Sequence, residues 1–224
     1  MKAFVVGTGK MGRAAEAALA SSGHDVAARV GRGQPIPPAE EADVAIEFTT
    51  PDAAAARVEE LLRAGVPVVS GTTGWDPAPM RALATELRVG FLHAPNFSIG
   101  VAVLKRAVAL AASALAPFPE FEPGIVERHH SAKKDAPSGT AAALAAAIEG
   151  AAGRRVPVVS LRQGGQPGEH VVVFEGAEES VELTHRARSR AIFAAGAVRA
   201  AEWLLASGTK GPASFDQVFE RSTP

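Results

Sequence analysis

Residues 5–12, VVGTGKMG, place three glycines between an apolar strand pattern and a helical pattern. Gly7, Gly9 and Gly12 follow the order G-x-G-x-x-G. In this order the first glycine permits a tight turn, the second admits an anion to the backbone, and the third lets helix and strand pack closely. The spacing alone is not specific, because the chain has 22 glycines. Its position on the first strand–helix unit favours a dinucleotide-binding loop over a purely structural turn.

The first hundred residues continue this alternation of strand and helix. Helical patterns separate five short apolar stretches, which are AFVVG, DVAARV, ADVAIEF, VPVVSG and VGFLHA. Pro51 is well placed at the start of one of the helices. Alternation of this kind predicts βαβ units and therefore an α/β fold with a Rossmann-like, doubly wound parallel sheet.

After about Ser98 the pattern changes. A long helical pattern (98–116) is followed by the strand pattern GIVERHH, an alanine-rich helix after Pro137, and the strand patterns VPVVSLR, EHVVVFE and ESVELTHRA. These segments predict an α+β domain with an antiparallel or mixed sheet. We expect the last helical pattern, from residue 191, to return to the first domain. The predicted domains are therefore residues 1–97 plus 191–224, and an inserted domain of residues 98–190.

Charge and composition limit the partners. A net charge of −1 gives no global attraction for nucleic acid or an anionic membrane, so any anion must be bound by a local site. Cysteine is absent, which excludes disulfides, a thiol nucleophile and thiolate metal ligands. Lys105 and Arg106 interrupt the most apolar segment and argue against a membrane span. The N-terminus runs directly into the glycines without a signal-peptide pattern. We expect a cytoplasmic protein with no nucleic-acid or membrane partner.

The cofactor preference depends on the end of the second predicted strand. An NAD-type site usually places an acidic residue there, against the adenosine 2′-hydroxyl. This chain has Arg29, Gly31 and Arg32 instead, and Lys10 in the glycine loop adds a further cation. Cations favour a 2′-phosphate, so the pattern predicts NADPH in preference to NADH, or use of both. The alternative is that the arginines are solvated loop charges.

A second site is indicated by residues 127–140, ERHHSAKKDAPSGT. A predicted strand end delivers His129 and His130 to a loop with Lys133, and a helix begins just beyond Pro137. Helix N-termini carry unpaired N–H groups and partial positive charge, so the turn Ser138–Gly139–Thr140 is suited to an anion. The histidines and lysines can also donate protons. The stretch predicts a site for a small polycarboxylate with a histidine or lysine as general acid.

Each feature of this stretch also has a simpler explanation. Ser-Gly-Thr before a helix is usually a helix cap, and paired lysines usually lie on a solvated face. Adjacent histidines without an acid at ligand spacing argue against a metal site in this stretch, and we expect no metal. The features are informative only in combination.

In combination, these motifs resemble the 4-hydroxy-tetrahydrodipicolinate reductase (dihydrodipicolinate reductase) family of the diaminopimelate route to lysine. The family pattern E-x-H-H-x-x-K-x-D-A-P-S-G-T matches residues 127–140. Further matching blocks are the glycine loop, EFTTP (46–50), SGTTG (70–74), APNFSIGV (94–101), GEHVVVF (168–174) and THRARSRAIFAAGAVRAA (184–201).

The resemblance implies a role for each matched position. His129 is implied as the general acid/base and Lys133 as the second proton donor. The carboxylates of a small cyclic imine substrate are held by His130, Gly139 and Thr140, with help from Ser138, and by Arg190 from a hinge region. The implied cofactor-binding residues are Gly7, Thr8, Gly9, Lys10, Met11, Gly12, Gly71, Thr72, Thr73, Ala94, Pro95, Asn96 and Phe97. The family also implies NADPH or NADH as cofactor, and a homotetramer formed through the sheet of the second domain.

The chain departs from the family pattern at the adenosine end. Its glycine loop is one residue shorter than the G-x-x-G-x-M-G form, and the acid after the second strand is missing. Two other functions remain open at this stage. They are a different nicotinamide oxidoreductase, such as an imine-reducing amino-acid dehydrogenase, and a nucleotide-binding module without catalysis. The first has no reason to keep the whole Asp-Ala-Pro-Ser-Gly-Thr helix entry. The second would be indicated by replacement of His129 or Lys133, and both residues are present.

Overall fold

A computed structural model of the chain describes residues 1–220, and these residues form two units. The first unit takes in Met1–Phe97 and the chain from Ala191 on, and the second takes in Ser98–Arg190. Each unit has its own sheet. Within residues 1–220, no helix has the length and apolar character needed to cross a membrane.

The first unit contains a six-stranded sheet. Its strands are β1 Lys2–Val6, β2 Asp25–Val30, β3 Val44–Glu47, β4 Val68–Ser70, β5 Phe91–His93 and β10 Pro212–Ala213. All neighbouring strands are parallel, and their order is β10–β5–β4–β3–β1–β2, so the winding direction reverses between β1 and β3. The Rossmann-like, doubly wound sheet predicted from the sequence is confirmed.

Four helices pack against this sheet. They are α1 Lys10–Ser21, α2 Pro51–Arg63, α3 Ala78–Leu87 and α6 Ala191–Ala206. Helix α1 packs with α6, and α2 packs with α3. The central strand β1 is buried at four successive residues, Ala3 to Val6, as expected for a parallel strand that is covered on both faces. Pro51 occupies the first turn of α2, where its missing N–H costs no hydrogen bond.

The second unit contains a four-stranded mixed sheet and two helices. Its elements are α4 Ile99–Leu115, β6 Glu122–His129, α5 Gly139–Ala152, β7 Val158–Arg162, β8 Glu169–Glu175 and β9 Ser180–Arg186. The strand order is β7–β6–β8–β9, with β6 parallel to β7 and the other two pairs antiparallel. The prediction of an α+β unit with a mixed sheet is confirmed.

One face of the second sheet is covered and the other is open in the single chain. On the covered face, Val108, Leu144 and Ile148 of the helices join Val172 and Phe174 of β8 in a buried core. On the opposite face Val159 and Leu161 of β7 are 56% and 43% exposed. Apolar residues at alternate positions of an uncovered strand are available for an intermolecular contact.

Strand β10 was not predicted from the sequence. It has only two residues and begins with Pro212, and it pairs with β5 at the edge of the first sheet. Two residues cannot show the alternation by which strands are recognised, and proline is tolerated only at such edge positions.

Candidate active site

The glycine loop fits closely against the protein on one side and is open on the other. Gly7 has φ +107°, and a Cβ atom there would lie 2.1 Å from the carbonyl oxygen of Phe48. A Cβ at Gly12 would lie 1.7 Å from the carbonyl oxygen of Gly7, so helix α1 could not pack this closely with a side chain there. Gly9, the residue before α1, has no neighbouring atom within 4 Å of the same position. The loop therefore leaves an open approach to the N-terminus of α1, which suits a phosphate group.

The predicted cofactor residues of the first unit all lie at or just after the carboxyl ends of parallel strands. In an open α/β sheet this edge is where ligands bind, at the point where the strand order reverses. Thr8, Lys10 and Met11 lie with the glycines after β1, Arg29 and Arg32 lie at and just after the end of β2, Gly71, Thr72 and Thr73 follow β4, and Ala94, Pro95, Asn96 and Phe97 follow β5.

The side chains in this group differ in what they can offer a ligand. Thr8, Lys10 and Arg32 are exposed. Arg29 forms an ion pair with Glu16 of α1, with Nε and Oε2 2.7 Å apart. The Phe97 ring is 1% exposed and stacks edge-on against Phe215, so only its main chain can face a ligand. Arg32 and Lys10 are therefore the better candidates for a 2′-phosphate.

The centre of the second unit is His129, the last residue of β6. Its side chain is 9% exposed, and its Nδ1 contacts the carboxylate of Glu127 two residues earlier. Residues two apart on a strand share a face, which explains the pairing. A Cβ atom at Gly168 would lie 3.0 Å from the Nε2 of His129, so this glycine leaves the room that the imidazole occupies. Glu127 thus holds Nδ1, and Nε2 is the nitrogen available for proton transfer.

Glu127 is fully buried and is itself held by a cation. Arg162 of β7 donates to its Oε1 at 2.6 Å, and the main-chain N–H of Ser138 donates to the same oxygen at 3.3 Å. Burial alone would raise the pKa of Glu127, but hydrogen bonds from Arg162 and Ser160 and the charges of His129 and Arg162 lower it to about 2. Glu127 is therefore a carboxylate at neutral pH.

The pKa of His129 is lowered from its ordinary value of 6.5. Burial disfavours the imidazolium and is the largest cause, and Lys133 and Arg162 repel it, while Glu127 acts in the opposite direction. Like Glu127, a nearby dianion would raise the pKa of His129. Protonation of His129 is therefore expected to accompany the binding of a doubly charged ligand.

His170 of β8 packs against His129. It is 3% exposed, its ring packs edge-on against that of His129, and its Nε2 is 3.3 Å from the hydroxyl of Ser138. Burial is the first cause that lowers the pKa of His170, to about 4, and the charge of His129 adds to it. His170 is consequently neutral at physiological pH and links β8 to the start of α5.

The start of α5 is an open helix N-terminus. Ser138 caps the helix by accepting a hydrogen bond from the N–H of Ala141, and it is 2% exposed. Gly139 and Thr140 form the first turn, and a Cβ at Gly139 would meet nothing within 4 Å. The structure therefore shows a helix N-terminus at this turn, with Ser138 serving as the cap.

The other predicted residues surround this turn. The Lys133 ammonium binds the carboxylate of Asp135 at 2.7 Å, and a guanidinium nitrogen of Arg190 lies 3.1 Å from the Nε2 of His130. The structure therefore brings both predicted proton donors and the predicted carboxylate-binding residues into one unit. The Lys133 ammonium has three N–H donors, so its contact with Asp135 does not use them all.

Sequence reasoning did not assign roles to Glu127, Arg162, Gly168 or His170. Glu127 could have been assigned from its spacing, because it lies two residues before His129 in a predicted strand. Arg162 and His170 depend on strand register, which pairs His129 with Arg162 and Glu127 with His170. That register is not visible in local patterns. Gly168, just before β8, is identified only by its closeness to the His129 ring.

Glu127, His129 and His170 also form a possible metal-ligand group, with one potential ligand atom from each lying within 4.8 Å of the others. The charge of Glu127 is already balanced by Arg162 at Oε1, and its Oε2 is in contact with the Nδ1 of His129. Both partners would have to be given up to bind a cation. The geometry therefore favours a hydrogen-bonded network.

Comparison with known proteins gives consistent matches along the chain. The family model described as dihydrodipicolinate reductase, N-terminus, matches residues 1–97, and the model described as dihydrodipicolinate reductase, C-terminus, matches residues 100–219. A 4-hydroxy-tetrahydrodipicolinate reductase of Natronomonas pharaonis is 40% identical over 236 residues, covering 91% of this chain and 94% of the relative. One from Xanthomonas euvesicatoria pv. vesicatoria is 46% identical over 164 residues, covering 73% and 67%.

A solved structure shares the fold. It is the dipicolinate-bound dihydrodipicolinate reductase of Paenisporosarcina sp. TG-14, which superposes with a TM-score of 0.75 at 22% identity. The match covers 96% of this chain and 97% of that one. At this identity the likeness speaks for the architecture of both sheets.

Proposed function

Because this chain belongs to the dihydrodipicolinate reductase family, we propose that it reduces 4-hydroxy-tetrahydrodipicolinate to tetrahydrodipicolinate with hydride from NAD(P)H, in the diaminopimelate route to lysine. The observation that carries the proposal is the buried Glu127–His129 pair in the same unit as the open first turn of α5. It combines a proton-transfer group with an anion site, as the reduction of a dicarboxylate imine requires.

The two units take different tasks in this proposal. The first unit, residues 1–97 with 191–224, holds the dinucleotide, with its pyrophosphate at Gly7 to Gly12. The second, residues 98–190, holds the substrate. One substrate carboxylate is placed on the N–H groups of Gly139 and Thr140, and His130 and Arg190 supply positive charge beside it. Ser138 assists by forming the turn.

The chemistry assigned to the second unit is proton transfer. The substrate is a cyclic imine with two carboxylates, and loss of its hydroxyl as water gives a conjugated imine. Bound NAD(P)H supplies the hydride. Reduction leaves negative charge on the ring, which a proton from His129 Nε2 or from Lys133 neutralises. Glu127 keeps Nδ1 occupied, so Nε2 is the nitrogen from which His129 transfers the proton.

Mutation of the proton donors tests the proposal. NADPH oxidation is followed with substrate made freshly by dihydrodipicolinate synthase, and pyridine-2,6-dicarboxylate is added as a planar dicarboxylate mimic. We expect substrate-dependent oxidation that the mimic inhibits, and a loss of kcat of about 10²–10⁴ for His129→Ala and Lys133→Ala with little change in NADPH affinity. Either variant retaining near-normal kcat would remove that residue from the mechanism. NADPH binding without any substrate-dependent oxidation by the native chain would refute the reductase function.

NADPH is the proposed preferred cofactor. The exposed Arg32 and Lys10 support it, whereas Arg29 is engaged with Glu16. The comparison is kcat/KM for NADPH and for NADH with the native chain and with Arg32→Ala. The native chain should favour NADPH, and the variant should lose affinity for NADPH while its KM for NADH stays the same. A native kcat/KM higher for NADH would contradict the preference.

The proposed assembly is a homotetramer formed through the sheet of the second unit. The exposed Val159 and Leu161 on its uncovered face support this. The enzyme is placed in the cytoplasm, and no metal, nucleic acid or membrane takes part in the proposal.

A further inference from the structure

A second buried carboxylate lies at the ligand-binding edge of the first unit. Glu47 is the last residue of β3, and it is fully buried. It is paired in register with Val6 at the end of β1 on one side and with Ser70 at the end of β4 on the other. It therefore sits where the strand order reverses, between the glycine loop and the loop that contains Thr72.

The donors to Glu47 come from Ser70 at the end of β4 and from the segments that follow β3 and β4. Its Oε1 accepts hydrogen bonds from the main-chain N–H of Thr49 at 2.6 Å, from the Thr49 hydroxyl at 2.5 Å and from the Thr72 hydroxyl at 2.6 Å. Its Oε2 accepts from the Ser70 hydroxyl at 2.5 Å. An ionised carboxylate can accept all four bonds because it needs no donor in return. The buried charge is thus stabilised by neutral groups of the two loops.

The loops that Glu47 joins are also fixed against their neighbours. The main-chain oxygen of Thr72 accepts hydrogen bonds from Trp75 and His93 at 2.8 and 3.0 Å. Phe48, next to Glu47, lies against Gly7 and Gly71, since a Cβ at either glycine would lie 2.1 Å from a Phe48 atom. A displacement of Glu47 would therefore be transmitted to the glycine loop and to the segment after β4.

We infer that Glu47 is a positioning residue for the dinucleotide: its carboxylate fixes the segments after β3 and β4 in the shape that receives the cofactor. The inference rests on the proposed function for the identity of the ligand as NAD(P)H. Loops that are already ordered lose less conformational entropy on binding, so the effect should be on cofactor affinity more than on the chemical step.

Glu47→Gln is the informative variant. The amide oxygen can keep the three bonds at the Oε1 position, but its NH2 group then faces the Ser70 hydroxyl, which loses its acceptor. The matched control is Glu40→Gln, the same change at an exposed carboxylate of the same unit. Binding of NADPH is measured without substrate, together with the melting temperature, the inhibition by pyridine-2,6-dicarboxylate and kcat at saturating NADPH.

Glu47→Gln should raise the Kd for NADPH about tenfold, with kcat at saturation and inhibition by the dicarboxylate nearly unchanged. Glu40→Gln should leave the Kd for NADPH, kcat and the inhibition by the dicarboxylate unchanged. If Glu47→Gln fails to fold, Thr49→Val, which removes one hydroxyl donor and keeps the N–H, should raise the Kd to a smaller extent. A lower melting temperature with a native Kd for NADPH in these variants would show a purely structural role and overturn the inference. The Kd for NADPH is measured without turnover, so it tests the inference separately from the proposed function. A native chain that binds NADPH but does not reduce the imine would refute the proposed function, and the Kd values of the variants would still decide the inference.

Discussion

At the scale of single residues, the acidity of His129 depends on burial, on Glu127 and Arg162 of the sheet, and on Lys133 of the loop that follows it. Glu127 on the same strand favours its protonated form, while burial, Lys133 and Arg162 disfavour it. Arg162 keeps Glu127 ionised and so indirectly preserves the one contribution that raises the pKa of His129. The pH dependence of the reaction should therefore report on Glu127.

The pH dependence of kcat/KM tests this control. If His129 donates a proton, activity requires its acid form, which exists below its pKa, so kcat/KM should fall as pH rises through a value below 6.5. Glu127→Gln removes a charge that raises this pKa, and the fall should move to lower pH with a lower kcat at neutral pH. The control is Glu169→Gln, which alters a buried carboxylate bound by Arg186 on the neighbouring strand. A profile that does not move in Glu127→Gln would contradict the assignment.

Some residues of the candidate site could be predicted from the sequence and others could not. His129, Lys133 and the Ser138–Gly139–Thr140 turn could be named because they are contiguous and their residue types have few other uses together. Arg162 and His170 could not, since they come from strands 30 or more residues away and meet Glu127 only through strand pairing. The ion pair of Arg29 with Glu16 was likewise not visible in local patterns.

At the scale of elements, the unit of β1, glycine loop and α1 is determined by short-range packing. Gly7 and Gly12 are required by close contacts with backbone atoms, whereas Gly9 has open space above it. The three glycines of one motif therefore serve two different purposes, structural at Gly7 and Gly12 and ligand access at Gly9.

Alanine substitutions separate these purposes. Gly12→Ala places a methyl group 1.7 Å from the Gly7 carbonyl oxygen, so it should lower the free energy of unfolding by about 1–3 kcal/mol and weaken NADPH binding. Gly9→Ala meets no protein atom and should leave stability largely intact while weakening NADPH binding. Chemical denaturation and nucleotide titration measure both. Equal loss of stability in the two variants would show that the loop is not divided in this way.

Most elements were predictable because their apolar periods and boundary residues agree. The expected strand DVAARV coincides with β2, and the helix expected from 98 to 116 is α4, capped by Ser98. Strand β10 was not predicted, because it is defined by its pairing with β5 more than by its own two residues. The pairing of β7 with β6 rather than β8 also depends on the crossover through α5, which strand patterns alone do not specify.

At the scale of the whole molecule, the uncovered face of the second sheet is an exposed surface with apolar side chains. Val159 and Leu161 lie there at alternate positions of β7. A second sheet packed against this face would bury these side chains, which is how the proposed homotetramer would form.

A charge on this face tests the assembly. Leu161→Glu should convert the tetramer to smaller species in sedimentation velocity, because moving the new carboxylate from water into an apolar interface costs free energy. Leu110→Glu, which alters a 73% exposed leucine of α4, is the matched control and should leave the tetramer intact. A native chain that sediments as a monomer, or a tetramer unaffected by Leu161→Glu, would contradict the proposed interface.

The most direct test of the account is a crystal structure of the chain with pyridine-2,6-dicarboxylate and NADPH. The account predicts one carboxylate on the N–H groups of Gly139 and Thr140, with the ring beside the Nε2 of His129 and Nδ1 still bound to Glu127. A structure in which the dicarboxylate is bound elsewhere, with the first turn of α5 empty and His129 turned toward solvent, would contradict it.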